Sequence, residues 1–183
     1  MNSTLAFQDI AAFLAWVEPQ PARYELIDGE ARIVSGATRA HARIAANALS
    51  SLTMFLGDGP CEAYGVNLAV IAATMRVFYP DVSVSCETEG EDALRTPCAV
   101  IEVLSPETEA VDCGRKAQDY RRMPSMRHVV LVAQDRLSIE HHRRGTSDEP
   151  FTIEHLSSPA DVLRIEAAGA EIAVADLYRN VSV

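Results

Sequence analysis

The spacing of apolar residues predicts helices in the first third of the chain. Between residues 4 and 17 the apolar positions fall three or four apart, which is the period of a helix with one buried face. Ser3 or Thr4 can cap this helix, and Pro19 ends it. The same spacing predicts a second helix over residues 38–56, before a stretch rich in glycine and proline.

Strands are predicted between and after these helices. Residues 24–27 and 31–34 flank Asp28-Gly29, a pair that favours a two-residue hairpin turn. Residues 99–104 are apolar except for Glu102, which is typical of a central strand buried on both faces. Residues 87–95 predict an acidic surface loop. Other strands are predicted at 61–64, 67–71, 76–78, 81–84, 128–132 and 138–142, and further helices at 108–122 and 175–179.

This order of elements predicts one α/β (α+β) domain over residues 1–183, with a mixed β-sheet flanked by helices. The composition, 48% hydrophobic and 23% charged, is that of a globular protein with a substantial core. The four cysteines form no C-x-x-C pair, so we predict neither a zinc site nor a redox motif, and their scatter fits a reducing cytosol. Because we find no basic leader and no bilayer-length apolar run, we expect a cytoplasmic protein without membrane contact.

Charge is distributed unevenly along the chain. The net charge of -10 disfavours a surface that coats phosphates, because nonspecific affinity for nucleic acid comes mostly from lysine and arginine. Residues 115–144 nevertheless carry eight basic side chains and three acidic ones. Arg115, Arg121 and Arg122 stand at the start of this strip, which can receive phosphates. A solvated helix face with an arginine-tipped hairpin explains the strip equally well.

Glu102 is the residue that points most directly to chemistry. A buried carboxylate is costly unless it pairs with a cation or binds a metal. Asp81 begins the strand predicted at 81–84, and if that strand lies beside 99–104, the two carboxylates converge at one edge of the sheet. Such acids repel each other unless a cation lies between them, and Mg²⁺ accepts one or two carboxylates with water and phosphate oxygens. A buried arginine paired with Glu102, and a turn role for Asp81, are the structural alternatives.

Lys116 is the only lysine in the chain, against fifteen arginines. A lysine ammonium is a compact charge that can orient a water molecule or stabilise a phosphate. The simpler explanation is a helix ion pair with Asp112, four residues earlier, and both explanations can hold together.

Five segments, taken in order, resemble a known family. They are YELIDGE from Tyr24, His41 early in a helix, Y-P-D ending at Asp81, VIEVLSPET around Glu102, and D-x-x-x-K-x-x-x-Y ending at Tyr120. Together they resemble the Uma-two family of endonucleases, which belongs to the PD-(D/E)xK superfamily with a restriction-endonuclease-like fold. The resemblance runs over residues 7–178, and its most specific part is I-E-V-L-S-P-x-T followed by the lysine motif.

The resemblance implies a nuclease site that depends on Mg²⁺ or Mn²⁺. Asp81 and Glu102 would bind the metal, with the carbonyl of Val103 as a further ligand. The superfamily places a lysine two residues after the second acid, where this chain has Leu104. Lys116 matches a position in the next helix to which that lysine has moved, and it would orient the attacking water.

The resemblance also implies roles for residues farther from the metal. Glu25 matches an acid that could add a ligand or position a water, and Asp112 would lie nearby. His41 is a candidate neighbour of the site, with a purely structural histidine as the alternative. The basic side chains from Arg115 onwards would guide the nucleic-acid backbone.

We therefore predict a Mg²⁺-dependent endonuclease that hydrolyses phosphodiester bonds in nucleic acid, with DNA favoured over RNA and a homodimer expected by analogy. The negative charge fits a weak binder, a small substrate or recruitment by a partner better than tight binding of long duplex DNA. One alternative is a catalytically inactive nucleic-acid-binding or regulatory module that keeps the nuclease fold. Another is an inert domain in which the acids and the lysine form structural ion pairs.

Overall fold

The computed structural model describes residues 5–34, 37–88, 90, 92–105 and 112–183, with only the backbone of 112 and 113. The described helices are α1 (Ile10–Val17), α2 (Arg39–Leu56), α3 (Ala117–Arg122) and α4 (Val174–Leu177). The described strands are β1 (Tyr24–Ile27), β2 (Glu30–Ile33), β3 (Glu62–Gly65), β4 (Ala69–Ala73), β5 (Arg76–Phe78), β6 (Val82–Ser85), β7 (Ala93–Leu94), β8 (Ala99–Leu104), β9 (His128–Ala133), β10 (Ile139–Arg143), β11 (Thr152–Leu156), β12 (Val162–Ile165) and β13 (Ala170–Ala173).

The strands form two main sheets and a separate hairpin. One sheet has the order β11-β10-β9-β8-β6-β3, the other β2-β1-β5-β4-β7, and β12 pairs with β13. In the larger sheet β8 pairs in parallel with β9 and antiparallel with β6, so it is a central strand of a mixed sheet. The predicted mixed α+β class is confirmed, but the strands expected in one sheet are divided between two.

The larger sheet is covered on both faces. On one face α2 contributes Ile44, Ala48 and Leu52 to the hydrophobic core. On the other face, core residues of β8 and β9 pack with Tyr120 of α3 and with Phe78 of the smaller sheet. The chain crosses between the two sheets at residues 79–81, directly after β5 and directly before β6. At this crossing, residues of the smaller sheet and of the larger sheet are joined by only three residues of chain.

Local sequence signals explain several elements. Asp28 and Gly29 both have positive φ, 54° and 84°, as a two-residue type I′ hairpin turn requires. Helix α2 begins after Thr38, whose hydroxyl accepts a hydrogen bond from the His41 N–H at 3.1 Å. It ends at Gly57, which has a φ of 51°. The predicted hairpin and second helix are therefore confirmed.

Helix α1 differs from its prediction. It begins at Ile10 instead of residue 4, because the Asp9 carboxylate caps it by accepting the Ala12 N–H at 2.7 Å. Ala6 instead forms a β-bridge with Glu30. The predicted caps Ser3 and Thr4 lie outside the described residues.

Two further predictions are corrected. The segment expected to be an acidic surface loop contains the buried strand β7, which pairs in parallel with β4. The helix predicted over residues 108–122 is a π-helical turn at Asp112–Lys116 that continues into α3, and residues 106–111 lie outside the described part. Among the described residues, no helix is long and apolar enough to cross a membrane.

The cysteines are not merely scattered. Cys61 and Cys86 form a disulfide, although the sequence predicts no redox pair. Each lies one residue beyond the paired Glu62 and Ser85 at one end of the β3–β6 ladder, so strand register brings them together. Cys98 is a buried free thiol whose sulfur lies 3.8 Å from that of Cys86. Burial raises the pKa of the Cys98 thiol to about 11.

Candidate functional site

Strand register places Asp81 and Glu102 at neighbouring backbone positions. The β6–β8 ladder pairs Val82 with Ile101, and one step further along it Asp81 comes opposite Glu102. The Asp81 carboxylate accepts a hydrogen bond from the Val103 N–H at 2.8 Å, which fixes its position at the end of the ladder. The strand adjacency on which the predicted pair depends is therefore present.

Glu102 is buried, with 4% of its surface exposed, and two side chains of the following helical segment contact it. The Lys116 ammonium lies 2.9 Å from Glu102 Oε1, and the Tyr120 hydroxyl donates to the same oxygen at 2.8 Å. Residues four apart in a helix share one face, so a single helical turn presents both groups to the carboxylate. The buried partner of Glu102 is thus a lysine, where an arginine was the structural alternative.

Lys116 occupies the last position of the π-helical turn and immediately precedes α3. π-Helical turns are rare and occur often at functional sites. The residue is 5% exposed, and its ammonium lies 5.5 Å from the centre of the Phe78 ring. An ammonium so deeply buried requires anionic partners, because transfer of an isolated charge out of water is costly.

Glu25 supplies the second anionic partner from the smaller sheet. Its Oε1 lies 2.9 Å from the Lys116 ammonium and accepts the backbone N–H of Tyr79 at 3.2 Å. Glu25 is 8% exposed, so this contact is also buried. Lys116 therefore joins an acid of β1 to an acid of β8, and the three side chains together carry one net negative charge.

His41 contacts the site through Asp81. Its Nε2 lies 3.2 Å from Asp81 Oδ2, and its position in the first turn of α2 is set by the Thr38 cap. His41 Nδ1 is buried and makes no hydrogen bond within the described residues. This arrangement fits an imidazole that donates from Nε2 to the carboxylate and so helps to orient it.

The predicted substrate-binding arginines lie on the helical segment that carries Lys116. Arg115 is half exposed and pairs with Asp28 of the hairpin turn at 2.6 Å. Arg121 contacts the His142 ring at 3.1 Å. The Arg122 side chain is 68% exposed, and its guanidinium lies 3.7 Å from the carboxylate of Asp119 on α3. Their proposed contacts with nucleic acid stay predictions.

An ion-pair network that the sequence did not predict fastens α3 to the hairpin. The Arg76 guanidinium pairs with the buried Asp119 of α3 and with Asp28 at 2.7 Å.

The side chain of Asp112 lies outside the described part, so its predicted pair with Lys116 stays a prediction. The described partners of Lys116 come from strands, because its ammonium points into the protein interior.

The donor set fits a hard divalent cation. Among the described residues, no group of three or more histidine, cysteine, aspartate or glutamate side chains is arranged to hold a metal ion. Mg²⁺ does not need such a cage, since one or two carboxylates with water and substrate oxygens complete its shell. Asp81, directly before β6, and Glu102 of the neighbouring β8 are the two candidate carboxylates. The role of the Val103 carbonyl stays a prediction.

Tyr120 and Tyr79 belong to this site, although sequence reasoning gave them no role. Tyr120 comes four residues after Lys116 in the lysine motif, and this spacing predicts that the two side chains share one face of a helix. Tyr79 holds Glu25 through its backbone N–H, a contact that no side-chain pattern reveals. Burial raises the pKa of the Tyr79 hydroxyl, so this group is protonated at neutral pH.

Comparisons with known proteins identify the family and the fold. Residues 10–175 match the Uma2 family, whose description is "Putative restriction endonuclease". Two uncharacterized proteins of Synechocystis sp. (strain ATCC 27184 / PCC 6803 / Kazusa) are similar. The protein slr1290 is 29% identical over 174 residues, which cover 93% of this chain and 90% of the relative. The protein sll1609 is 29% identical over 158 residues, which cover 83% and 89%.

A solved structure shows the same fold. It is described as a putative nuclease from Anabaena variabilis, and it superposes with a TM-score of 0.75 at 17% sequence identity. The match covers 93% of this chain and 97% of that one. The fold is therefore shared over nearly the whole of both chains.

Proposed function

Because the chain belongs to the Uma2 family of restriction-endonuclease-like proteins, we propose that it is a divalent-metal-dependent endonuclease that hydrolyses phosphodiester bonds. The observation that carries the proposal is the site itself: Asp81 opposite Glu102, with the Lys116 ammonium 2.9 Å from Glu102. Two carboxylates beside one buried ammonium provide both a cation site and a fixed positive charge for a phosphate.

Asp81 and Glu102 would hold Mg²⁺ or Mn²⁺. When bound, such an ion lowers the pKa of a coordinated water and offsets the charge that develops on the phosphate. The side chains around these acids hold them in place: His41 and the Val103 N–H contact Asp81, while Tyr120 donates to Glu102. Fixed donors of this kind reduce the reorganisation needed during the reaction.

Lys116 would orient the attacking water and stabilise the phosphate oxygens. Glu25 supports this role, because its carboxylate holds the ammonium at 2.9 Å. Lys116 is therefore proposed as an electrostatic group held between two carboxylates.

The substrate is proposed to be nucleic acid, with DNA favoured over RNA. Arg115, Arg121 and Arg122 support this proposal, because they lie on the helical segment that carries Lys116. A homodimer is proposed by analogy with the superfamily, and light scattering of the purified protein tests it.

Metal-dependent cleavage tests the proposal directly. Purified protein should cleave plasmid DNA and an oligonucleotide in Mg²⁺ or Mn²⁺ and stop in EDTA. Asp81→Ala and Glu102→Ala should abolish cleavage, whereas Arg164→Ala should not, because Arg164 is an exposed residue of the separate β12–β13 hairpin. If the wild type and the two acid variants behave alike across metals and substrates, the proposal that this protein is an enzyme is refuted.

An inert domain in which the acids and the lysine form structural ion pairs is the second candidate, favoured by one observation. Lys116 is contacted by two carboxylates, so the group could be a purely structural ion-pair cluster. A metal titration separates the two. Divalent metal at a hundred times its dissociation constant should stabilise a binding protein by about 2.7 kcal/mol. The Asp81→Asn variant should lose this shift, and an unchanged melting temperature in wild type would favour the structural cluster.

A further inference from the structure

A chain of hydrogen bonds leads from the end of β9 to the candidate metal ligand Asp81. Gln134 directly follows β9, and its Oε1 accepts a hydrogen bond from the Thr38 hydroxyl. The Thr38 hydroxyl oxygen in turn accepts the backbone N–H of His41 at 3.1 Å. The His41 ring then contacts Asp81, with 3.2 Å between Nε2 and Oδ2. The chain therefore joins β9, the start of α2 and the residue before β6.

Gln134 lies at the edge of the sheet where β8 also ends. The two strands are parallel, and Ala133, the last residue of β9, is paired with Leu104, the last residue of β8. Gln134 is 6% exposed, and its Nε2 is buried with no hydrogen-bond partner among the described residues. An amide buried in this way costs free energy, so its retained contact with Thr38 calls for a role.

The contact with Gln134 orients the Thr38 hydroxyl. A hydroxyl group has one proton and two lone pairs. Because the proton is directed to Gln134, a lone pair is available for the His41 N–H. The Thr38 carbonyl also accepts the Ala42 N–H at 3.0 Å, so both oxygens of this residue hold the first turn of α2. Gln134 thus helps to set the place from which the His41 ring reaches Asp81.

Asp81 receives two donors on the same oxygen. His41 Nε2 lies 3.2 Å from Oδ2, and the Val103 N–H donates to Oδ2 at 2.8 Å. One hydrogen bond alone would let the carboxylate turn about that contact, whereas two donors from different elements fix its plane. Within the described part of the chain no donor contacts Oδ1, so Oδ1 is the oxygen left for a cation.

We propose that Gln134 is a positioning residue of the proposed nuclease site, acting through Thr38 and His41 to direct Asp81 Oδ1 to the metal ion. The inference rests on the proposed nuclease function and adds a residue to its site. Gln134 itself contacts neither metal nor substrate in this role. Residues that orient a metal ligand change metal affinity or activity by about 10–100-fold when they are replaced. The lower end, about tenfold, is expected for a residue that acts through two intermediate contacts.

Two substitutions interrupt this chain of hydrogen bonds. Gln134→Met removes the amide at similar volume, and Thr38→Val removes the hydroxyl at similar shape. Thr38→Ser keeps the hydroxyl and serves as the conservative replacement. Asp9→Ala is the matched control for stability, because it removes the side-chain cap of a different helix, α1.

Cleavage of an oligonucleotide is measured at a fixed concentration of Mg²⁺. Gln134→Met and Thr38→Val should lower kcat about tenfold and leave KM unchanged, because neither residue is proposed to touch the substrate. Thr38→Ser should restore the activity that Thr38→Val loses, and Asp9→Ala should match wild type. In a His41→Ala background, Gln134→Met should cause no further decrease, since its effect passes through the imidazole. Unchanged kcat in Gln134→Met, or a further tenfold decrease in that background, would overturn the proposal.

The Val103 amide proton reports the position of Asp81 without metal and without catalysis, because it is donated to Oδ2. In metal-free protein its NMR resonance should move in Gln134→Met and Thr38→Val towards its position in Asp81→Ala. It should stay in place in Asp9→Ala. A resonance that stays at the wild-type position in both chain variants would overturn the role of Gln134. If the resonance moves as expected but wild type hydrolyses no phosphodiester, the nuclease function fails while the positioning of Asp81 stands.

Discussion

Replacement of Lys116 by methionine should be the most damaging single change at the site. The side chain is 5% exposed, and its ammonium lies 2.9 Å from both Glu25 and Glu102. Methionine fills a similar volume without charge, so the two carboxylates would lose their shared buried cation. Removal of one partner from a buried ion pair costs about 3–5 kcal/mol, because the remaining charge stays buried without compensation.

Urea denaturation measures this loss. With a denaturant dependence of about 2 kcal/mol per molar, a loss of about 4 kcal/mol lowers the unfolding midpoint by about 2 M. Arg122→Met is the matched control, because its guanidinium is 68% exposed and its partner, the buried Asp119, keeps its ion pair with Arg76. This variant should cost less than about 1 kcal/mol. A loss for Lys116→Met no larger than that of the control would refute the reasoning.

A second substitution tests whether the loss comes from uncompensated charge. Glu25→Gln in the Lys116→Met background removes one of the two stranded carboxylates. The double variant should therefore be at least about 1 kcal/mol more stable than the sum of the single losses predicts. Additive losses would mean that Lys116 acts through packing alone.

At temperatures where it is folded, Lys116→Met should lose cleavage and still bind divalent metal.

Three other changes test separate parts of the structure. Tyr120→Phe removes a buried hydrogen bond to Glu102 and should lower the free energy of unfolding by about 2 kcal/mol in urea denaturation. Cys61→Ser opens a disulfide that spans 25 residues and should cost about 3 kcal/mol, and reductant should destabilise wild type but not this variant. Burial lowers the pKa of His128 to about 4 and that of His141 to about 3, below the value of about 6.5 in the unfolded chain. The unfolded state therefore binds more protons as the pH falls below 6.5, so stability should decrease from there towards pH 4, and His141→Gln should flatten the decrease.

Elements with a local cause were predictable from the sequence. The Asp28-Gly29 turn needs two positive φ angles, and these residues adopt them readily. Helix α2 has Thr38 at its start and Gly57 at its end, so its limits follow from capping chemistry alone. The apolar run around Glu102 became the central strand for the same kind of reason: it has no face suited to water.

Features that depend on distant segments were not predictable. The predicted start of α1 was wrong because Ala6 pairs with Glu30 of the hairpin. The helical spacing of apolar residues carries no information on such a pairing. The disulfide of Cys61 requires the register of β3 against β6. The contact between Lys116 and Glu25 requires two sheets to pack together, and periodicity carries no information on that packing.

The position of the lysine explains why the site spans two sheets. A lysine at Leu104 would lie two residues from Glu102 on the same strand, within the larger sheet alone. Lys116 approaches from the π-helical turn instead, and from there its ammonium also contacts Glu25 in the smaller sheet. The position of Lys116 on this turn therefore couples Glu102 of the larger sheet to Glu25 of the smaller sheet.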